Sequence, residues 1–76
     1  MIRDLRLLLA ARPFVPFTIF LADGGQVRVP TMDHAAVAPV GARVIVFTDD
    51  GGMILLSALL ISRIAVDPQT ADTSAA

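Results

Sequence analysis

The sequence contains no cysteine, which excludes disulfide staples, thiolate zinc sites and thiol nucleophiles. Lysine, glutamate, asparagine, tyrosine and tryptophan are missing as well. All six basic residues are therefore arginine, all seven acidic residues are aspartate, and the aromatics are four phenylalanines. A net charge of −1 over 76 residues leaves no dense cationic field of the kind that grips phosphate backbones. Long apolar runs are lacking too. The longest, Met53 to Ile61, is interrupted by Ser57 and falls well short of the ~20 residues a membrane-spanning helix needs. Arg3 and Arg6 flank leucines as in a secretory leader, but Asp4 breaks the charge pattern and Arg12-Pro13 stands where a small-residue cleavage site belongs. A cytoplasmic protein without a membrane segment is expected.

What the chain does have is apolar mass. Hydrophobic residues make up 55% of it, too many for an intrinsically disordered segment. Chains of this size hide only about 60% of the surface they expose when unfolded. Residues 1–66 nevertheless hold 39 apolar side chains. Apolar surface beyond what one small core conceals marks a protein interface.

The pattern along the chain predicts a helix over residues 2–11, with Ile2, Leu5, Leu8 and Leu9 on one face and Pro13 ending it. So short a helix needs a surface to dock on. After the stiff Arg12-Pro13-Phe14-Val15-Pro16 linker, a strand begins at Phe17, with Phe17, Ile19 and Leu21 on one side and Thr18 and Phe20 on the other. Asp23-Gly24-Gly25 predicts a hairpin turn, Gln26 to Val29 the return strand, and Pro30 its end. Residues 30–42 read as a structured loop, with one helical turn or a short strand near Ala36 to Ala38. Arg43 to Thr48 is a strand apolar on both faces, which calls for cover on both, from the helix or from another subunit. Asp49-Asp50-Gly51-Gly52 turns the chain into Met53–Leu56, then a bend or 3₁₀ turn over Ser57–Ile61, then a last strand Ser62–Val66. The expected fold is mainly β: a small five-stranded SH3/Sm-like barrel, or a strongly bent antiparallel sheet, with one N-terminal α-helix. Residues 1–66 form this domain, and 67–76 read as a disordered tail.

Phe-x-x-Asp-Gly-Gly occurs twice, at Phe20–Gly25 and Phe47–Gly52. Two hairpins using the same turn chemistry explain the echo better than an ancient duplication or paired phosphate loops, because neither copy carries a lysine or a Gly-x-Gly-x-x-Gly pattern.

Leu21-Ala22-Asp23-Gly24 and the spacing of Leu56-Ser57-Ala58-Leu59-Leu60-Ile61-Ser62-Arg63-Ile64 resemble the two signatures of the Sm-like family, which includes bacterial Hfq. The resemblance implies an RNA-binding ring of small barrels. It also implies a degenerate base pocket, since the family's asparagine is missing and Ser57-Ala58 replaces its basic pair. Arg12 to Phe17, Asp23-Gly24 and Ile61-Ser62-Arg63-Ile64 are similar to short uncharacterised bacterial proteins that open with a Leu-rich helix followed by Arg-Pro-Phe-x-Pro-Phe. That likeness implies no activity.

No catalytic, cofactor or metal site emerges. His34, the sole histidine, lies beside Asp33 and lacks the companions that a metal or a nucleophile would require. Ser57, Ser62 and Ser74 lie outside any nucleophile-elbow pattern. Phe14 and Phe17, flanked by Pro13 and Pro16, suit a rigid corner better than a peptide-docking motif. The expectation is a non-enzymatic homo-oligomer, a scaffold or partner-binding protein without a cofactor. Its interface residues would be Phe20, Phe47, Met53, Ile54, Leu55, Leu56, Ile64 and Val66, with Met53–Leu56 of one copy pairing with Ser62–Val66 of the next. RNA is the alternative partner, with Arg3, Arg6 and Arg12 as its contacts.

Overall fold

The computed structural model describes residues 1–68. The chain opens with α1 (Ile2–Ala10), which buries Leu5 completely and half-buries Ile2, Leu8 and Leu9. This is the apolar face that helical spacing selects. The helix stops where Ala11 turns extended, and the Arg12 guanidinium donates to the carbonyls of Ala10 and Ala11. Such a C-terminal arginine satisfies carbonyls that have no helical partner.

Six strands follow: β1 (Phe17–Leu21), β2 (Gln26–Val29), β3 (Ala35–Val37), β4 (Arg43–Phe47), β5 (Met53–Ser57) and β6 (Ile61–Val66). They form two three-stranded antiparallel sheets, ordered β2-β1-β6 and β3-β4-β5. The expectation of five strands is corrected by β3, a three-residue strand in the segment read as a structured loop with a helical turn or a short strand near Ala36 to Ala38. A closed barrel is not seen either, because no strand ladder joins the two sheets among the described residues. Short 3₁₀ turns at Met32–His34 and Ala58–Leu60 carry the chain from one sheet to the other.

The inner faces of both sheets share one core. Phe17, Ile19, Val27 and Val29 from the first meet Val44, Val46 and Leu56 from the second, with Leu5 of α1 inserted among them. Strand alternation explains the choice of side chains, since residues two apart point the same way. The β4 strand departs from its expected double burial: Val44 and Val46 are buried, Ile45 is half-buried and Phe47 is exposed.

Both Asp-Gly-Gly turns have the same construction. Gly24 N–H donates to Leu21 O and Leu21 N–H to Gly25 O; Gly51 N–H donates to Thr48 O and Thr48 N–H to Gly52 O. Asp23 and Asp50 each accept from the second glycine's N–H. Shared turn chemistry therefore accounts for the internal echo. Gly51 sits at φ +90° with open space where a Cβ would stand. Gly51→Ala is expected to cost about 1–2 kcal/mol purely through its left-handed backbone, a loss that a urea titration against the native chain measures.

Candidate interaction surface

Four side chains on β4 and β5 make an uncovered apolar face. Cross-strand register sets Ile45 opposite Leu55 and Phe47 opposite Met53, with Ala36 of β3 beyond Ile45. Leu55 is 66% exposed and Met53 60% exposed. The helix does not cover this face, because it lies along β3 and sends Leu5 into the core on the other side. Arg43 stands at one end of the same face, opposite Ser57, and the Asp49-Asp50 turn closes the other end.

Both β5 and β6 are sheet edges. Antiparallel ladders alternate between residues whose N–H and C=O groups point at the partner strand and residues whose groups point away. Bonds from Thr48 N to Gly52 O and from Ala58 N to Ala42 O fix that phase in the second sheet. Ile54 and Leu56 thus bond to β4, while Met53 and Leu55 turn their backbone groups outward. In the first sheet, Leu21 N to Gly25 O and Asp67 N to Pro16 O fix the phase in the same way. Arg63 and Ala65 bond to β1, and Ile64 and Val66 face outward. An edge with free donors and acceptors accepts another strand unless something blocks it.

Most residues expected at an interface lie at or near these surfaces. Phe47, Met53, Ile54, Leu55 and Val66 are exposed, and Ile64 is half-buried at the edge. Leu56 is the correction: at 7% exposure it belongs to the core and offers no side chain to a partner. Phe20 lies on the outer face of the first sheet, with the Arg63 guanidinium 4.2 Å from its ring centroid. The three arginines grouped as nucleic-acid contacts make no ion pair among the described residues, and two of them are tethered to backbone carbonyls. Arg6 donates to the Ala38 carbonyl at 2.8 Å, pinning α1 to the loop after β3, and Arg12 caps its own helix. Arg3 is exposed.

A cleft of about 290 Å³ opens between the free edge of β2 and the β4–β5 hairpin, lined by Val27, Arg28, His34, Val46 and Phe47 among others. His34 spans one side of it. Its Nε2 lies 2.8 Å from Asp49 Oδ1, and its Nδ1 lies 2.7 Å from Thr31 Oγ1. An ionised carboxylate only accepts, so neutral His34 carries its proton on Nε2 and Thr31 donates to Nδ1. Thr31 Oγ1 in turn accepts from Asp33 N–H. Asp49 is the partner that sequence reasoning missed, fifteen residues away and delivered by the β3–β4 pairing. The three side chains satisfy one another and tie the 3₁₀ turn Met32–His34 to the β4–β5 turn. The serines are similarly occupied: Ser57 Oγ accepts from Leu59 N–H, and Ser62 Oγ donates to the Phe20 carbonyl. Ser74 lies outside the described residues. Phe14 packs against buried Phe17 with ring centroids 5.8 Å apart, so this corner faces inward.

Arg28 and Asp67 form a two-pronged ion pair, one contact being 2.7 Å, and Asp67 N–H donates to Pro16 O. Asp67 is thus fastened to the first sheet, although composition assigned it to the tail; residues 69–76 lie outside the described residues. The hydrogen bond from Arg28 holds the Asp67 carboxyl below the usual aspartate range, and the Thr48 hydroxyl and Gly52 N–H do the same for Asp50. A carboxyl depressed on folding contributes stability above its unfolded pKa and loses that contribution as the pH falls through its folded pKa. Melting temperature is therefore expected to fall on acidification below about pH 4. Asp67→Asn should make that fall shallower in a pH series of thermal melts.

Among the described residues no cluster of three or more histidine or acidic side chains is placed to hold a metal, and no helix is long and apolar enough to cross a membrane. No protein-family model, curated protein or solved structure matches the chain.

Proposed function

We propose that this chain is a non-enzymatic, cytoplasmic β module that self-associates through its edge strands and serves as a scaffold or partner-binding protein. One observation carries the reading. The edges of β5 and β6 both present outward backbone groups beside exposed apolar side chains, Ile54 on one and Val66 on the other. Joining β5 of one copy to β6 of the next continues the sheet and brings Ile54 beside Ile64 or Val66 of the neighbour. Such a contact is heterologous, so copies close into a ring or continue as a filament. The two sheets are read here as the halves of an SH3/Sm-like arrangement, with the 3₁₀ turn Ala58–Leu60 linking the strand that accepts a neighbour to the strand that donates to one. The Thr31–His34–Asp49 chain is read as a brace that fixes the linking loop.

The RNA-binding alternative draws less support, because a net charge of −1 supplies little electrostatic attraction for phosphate. Arg6 and Arg12 do keep their charge and most of their N–H donors beside their bonds to backbone carbonyls. Native mass spectrometry of the full chain at micromolar concentration tests the main reading, which requires species larger than a monomer. A monomer throughout that range overturns it. Titration of a labelled single-stranded oligonucleotide at two salt concentrations tests the alternative. Tight binding with a steep salt dependence would replace the scaffold reading with RNA binding.

A further inference from the structure

Edge pairing covers backbone groups and leaves sheet faces open. The outer face of β4 and β5 would stay apolar and wet even in a completed assembly. Ile45, Phe47, Met53 and Leu55 therefore need a cover of their own, and the charges at the two ends of this face say which. Arg43 at one end makes no ion pair among the described residues. Asp49 and Asp50 sit at the other end, exposed, four to five positions further along the hairpin than β4's midpoint. Each has one oxygen held (Asp49 by His34, Asp50 by Thr48 and the Gly52 N–H) and the other oxygen available.

We infer that this face packs on the same face of a second copy, with the strands of the two copies running antiparallel across the contact. Two sheets laid face to face by a two-fold rotation have their axis in the plane between them. An axis along the strands would set Arg43 over its own symmetry mate and aspartates over aspartates. An axis across the strands, near Ile45 and Leu55, sets Arg43 over Phe47 of the other copy, twice. That places it two positions short of Asp49 and about 7 Å from it along the strand, which an extended arginine spans. The apolar rows meet at the centre, and both unpaired cationic ends find anionic ones. Charge thus selects one of the two orientations, as complementary surfaces do. The contact uses side chains that edge pairing does not bury, so it stands independently of that reading.

The experiment combines edge and face variants of the full chain in sedimentation equilibrium, with circular dichroism confirming the native spectrum. Val66→Pro removes an outward N–H from β6 and blocks edge addition; the chain that remains should be a dimer. Leu55→Glu in that background should weaken the dimer by roughly 30-fold or more, the effect of burying an unpaired charge at an interface centre. Arg43→Asp and Asp49→Arg should each weaken it by roughly tenfold, and the two together in one chain should restore it. A monomeric Val66→Pro chain overturns the face contact and leaves edge pairing standing. An Arg43→Asp chain that dimerises as tightly as its parent overturns the antiparallel register, as does a double variant no tighter than the singles. A Leu55→Glu chain that still dimerises overturns the contact altogether. The exposed Arg43 keeps the test open even if Leu55→Glu perturbs the sheet. His34→Ala, which breaks the contact to Asp49 and leaves its charge in place, should dimerise as its parent does and so separates loss of that contact from loss of charge in Asp49→Arg.

Discussion

Phe17→Ala is expected to abolish the native fold at ambient temperature. Phe17 is completely buried at the start of β1, where its ring joins Leu5, Val29 and the other inward side chains, with Phe14 stacked obliquely at 5.8 Å. Removing a buried phenylalanine costs about 3–5 kcal/mol through lost transfer energy and the cavity left behind. A domain of this size has only about 3–10 kcal/mol in total at 0.05–0.15 kcal/mol per residue. A domain this small buries little of its surface and stands at the low end of that range, where the substitution consumes the margin. Far-ultraviolet circular dichroism and a urea titration should show a chain with no cooperative transition, whereas Phe17→Leu should retain one. Phe14→Ala, at a half-buried position, should cost markedly less than Phe17→Ala. A cooperative unfolding curve for Phe17→Ala within 1 kcal/mol of the native chain's would show that the core is not organised around this ring.

How far such a core is legible before folding depends on the element. In α1, Ile2, Leu5, Leu8 and Leu9 repeat at helical spacing among charged neighbours, and they are the side chains the helix buries or half-buries. In β1 the polar Thr18 separates Phe17 from Ile19, so alternation identifies the inward side. In β5 the run Met53-Ile54-Leu55-Leu56 is apolar at every position and carries no such signal. Only pairing with β4 separates core Leu56 from exposed Leu55, which is why all four residues read alike as interface. β3 was legible only as one of two options, a helical turn or a short strand near Ala36 to Ala38. Ala35 and Ala36 have little intrinsic strand preference, and it is the ladder to β4 that holds them extended.

The site was less legible than the fold because its decisive partners are remote or chemically anonymous. Nothing local announces that Asp49 meets His34, or that Asp67 meets Arg28 across 39 positions. Arg6 and Arg12 are unpaired cations in the fold as in the sequence, but nothing in the sequence names the backbone carbonyls that tether them, since every residue possesses one. Apolar excess was the one functional signal available beforehand, because it is a property of composition. It required some surface to remain uncovered, and the pairing of β4 with β5 then located that surface.

Val66→Pro is the substitution expected to have the largest effect on assembly while sparing the monomer. The ladder phase turns the Val66 N–H away from β1, so a proline there breaks no bond within the chain. Proline is tolerated on an edge strand when its missing donor faces solvent, and it restrains the preceding residue to the extended conformation that Ala65 already has. An incoming strand loses that donor, leaves its own carbonyl unpaired and meets the pyrrolidine ring. An unsatisfied group of this kind costs about 1–3 kcal/mol, or roughly 5- to 150-fold in affinity, before the steric term is added. Light scattering should therefore show edge-dependent species lost at concentrations where the native chain forms them, and Val66→Ile should keep them. Thermal melts at concentrations too low for assembly should place Val66→Pro close to the native chain. If Val66→Pro assembles as the native chain does, strand addition through β6 is wrong, and the uncovered apolar residues on β4 and β5 must be answered by face contacts alone.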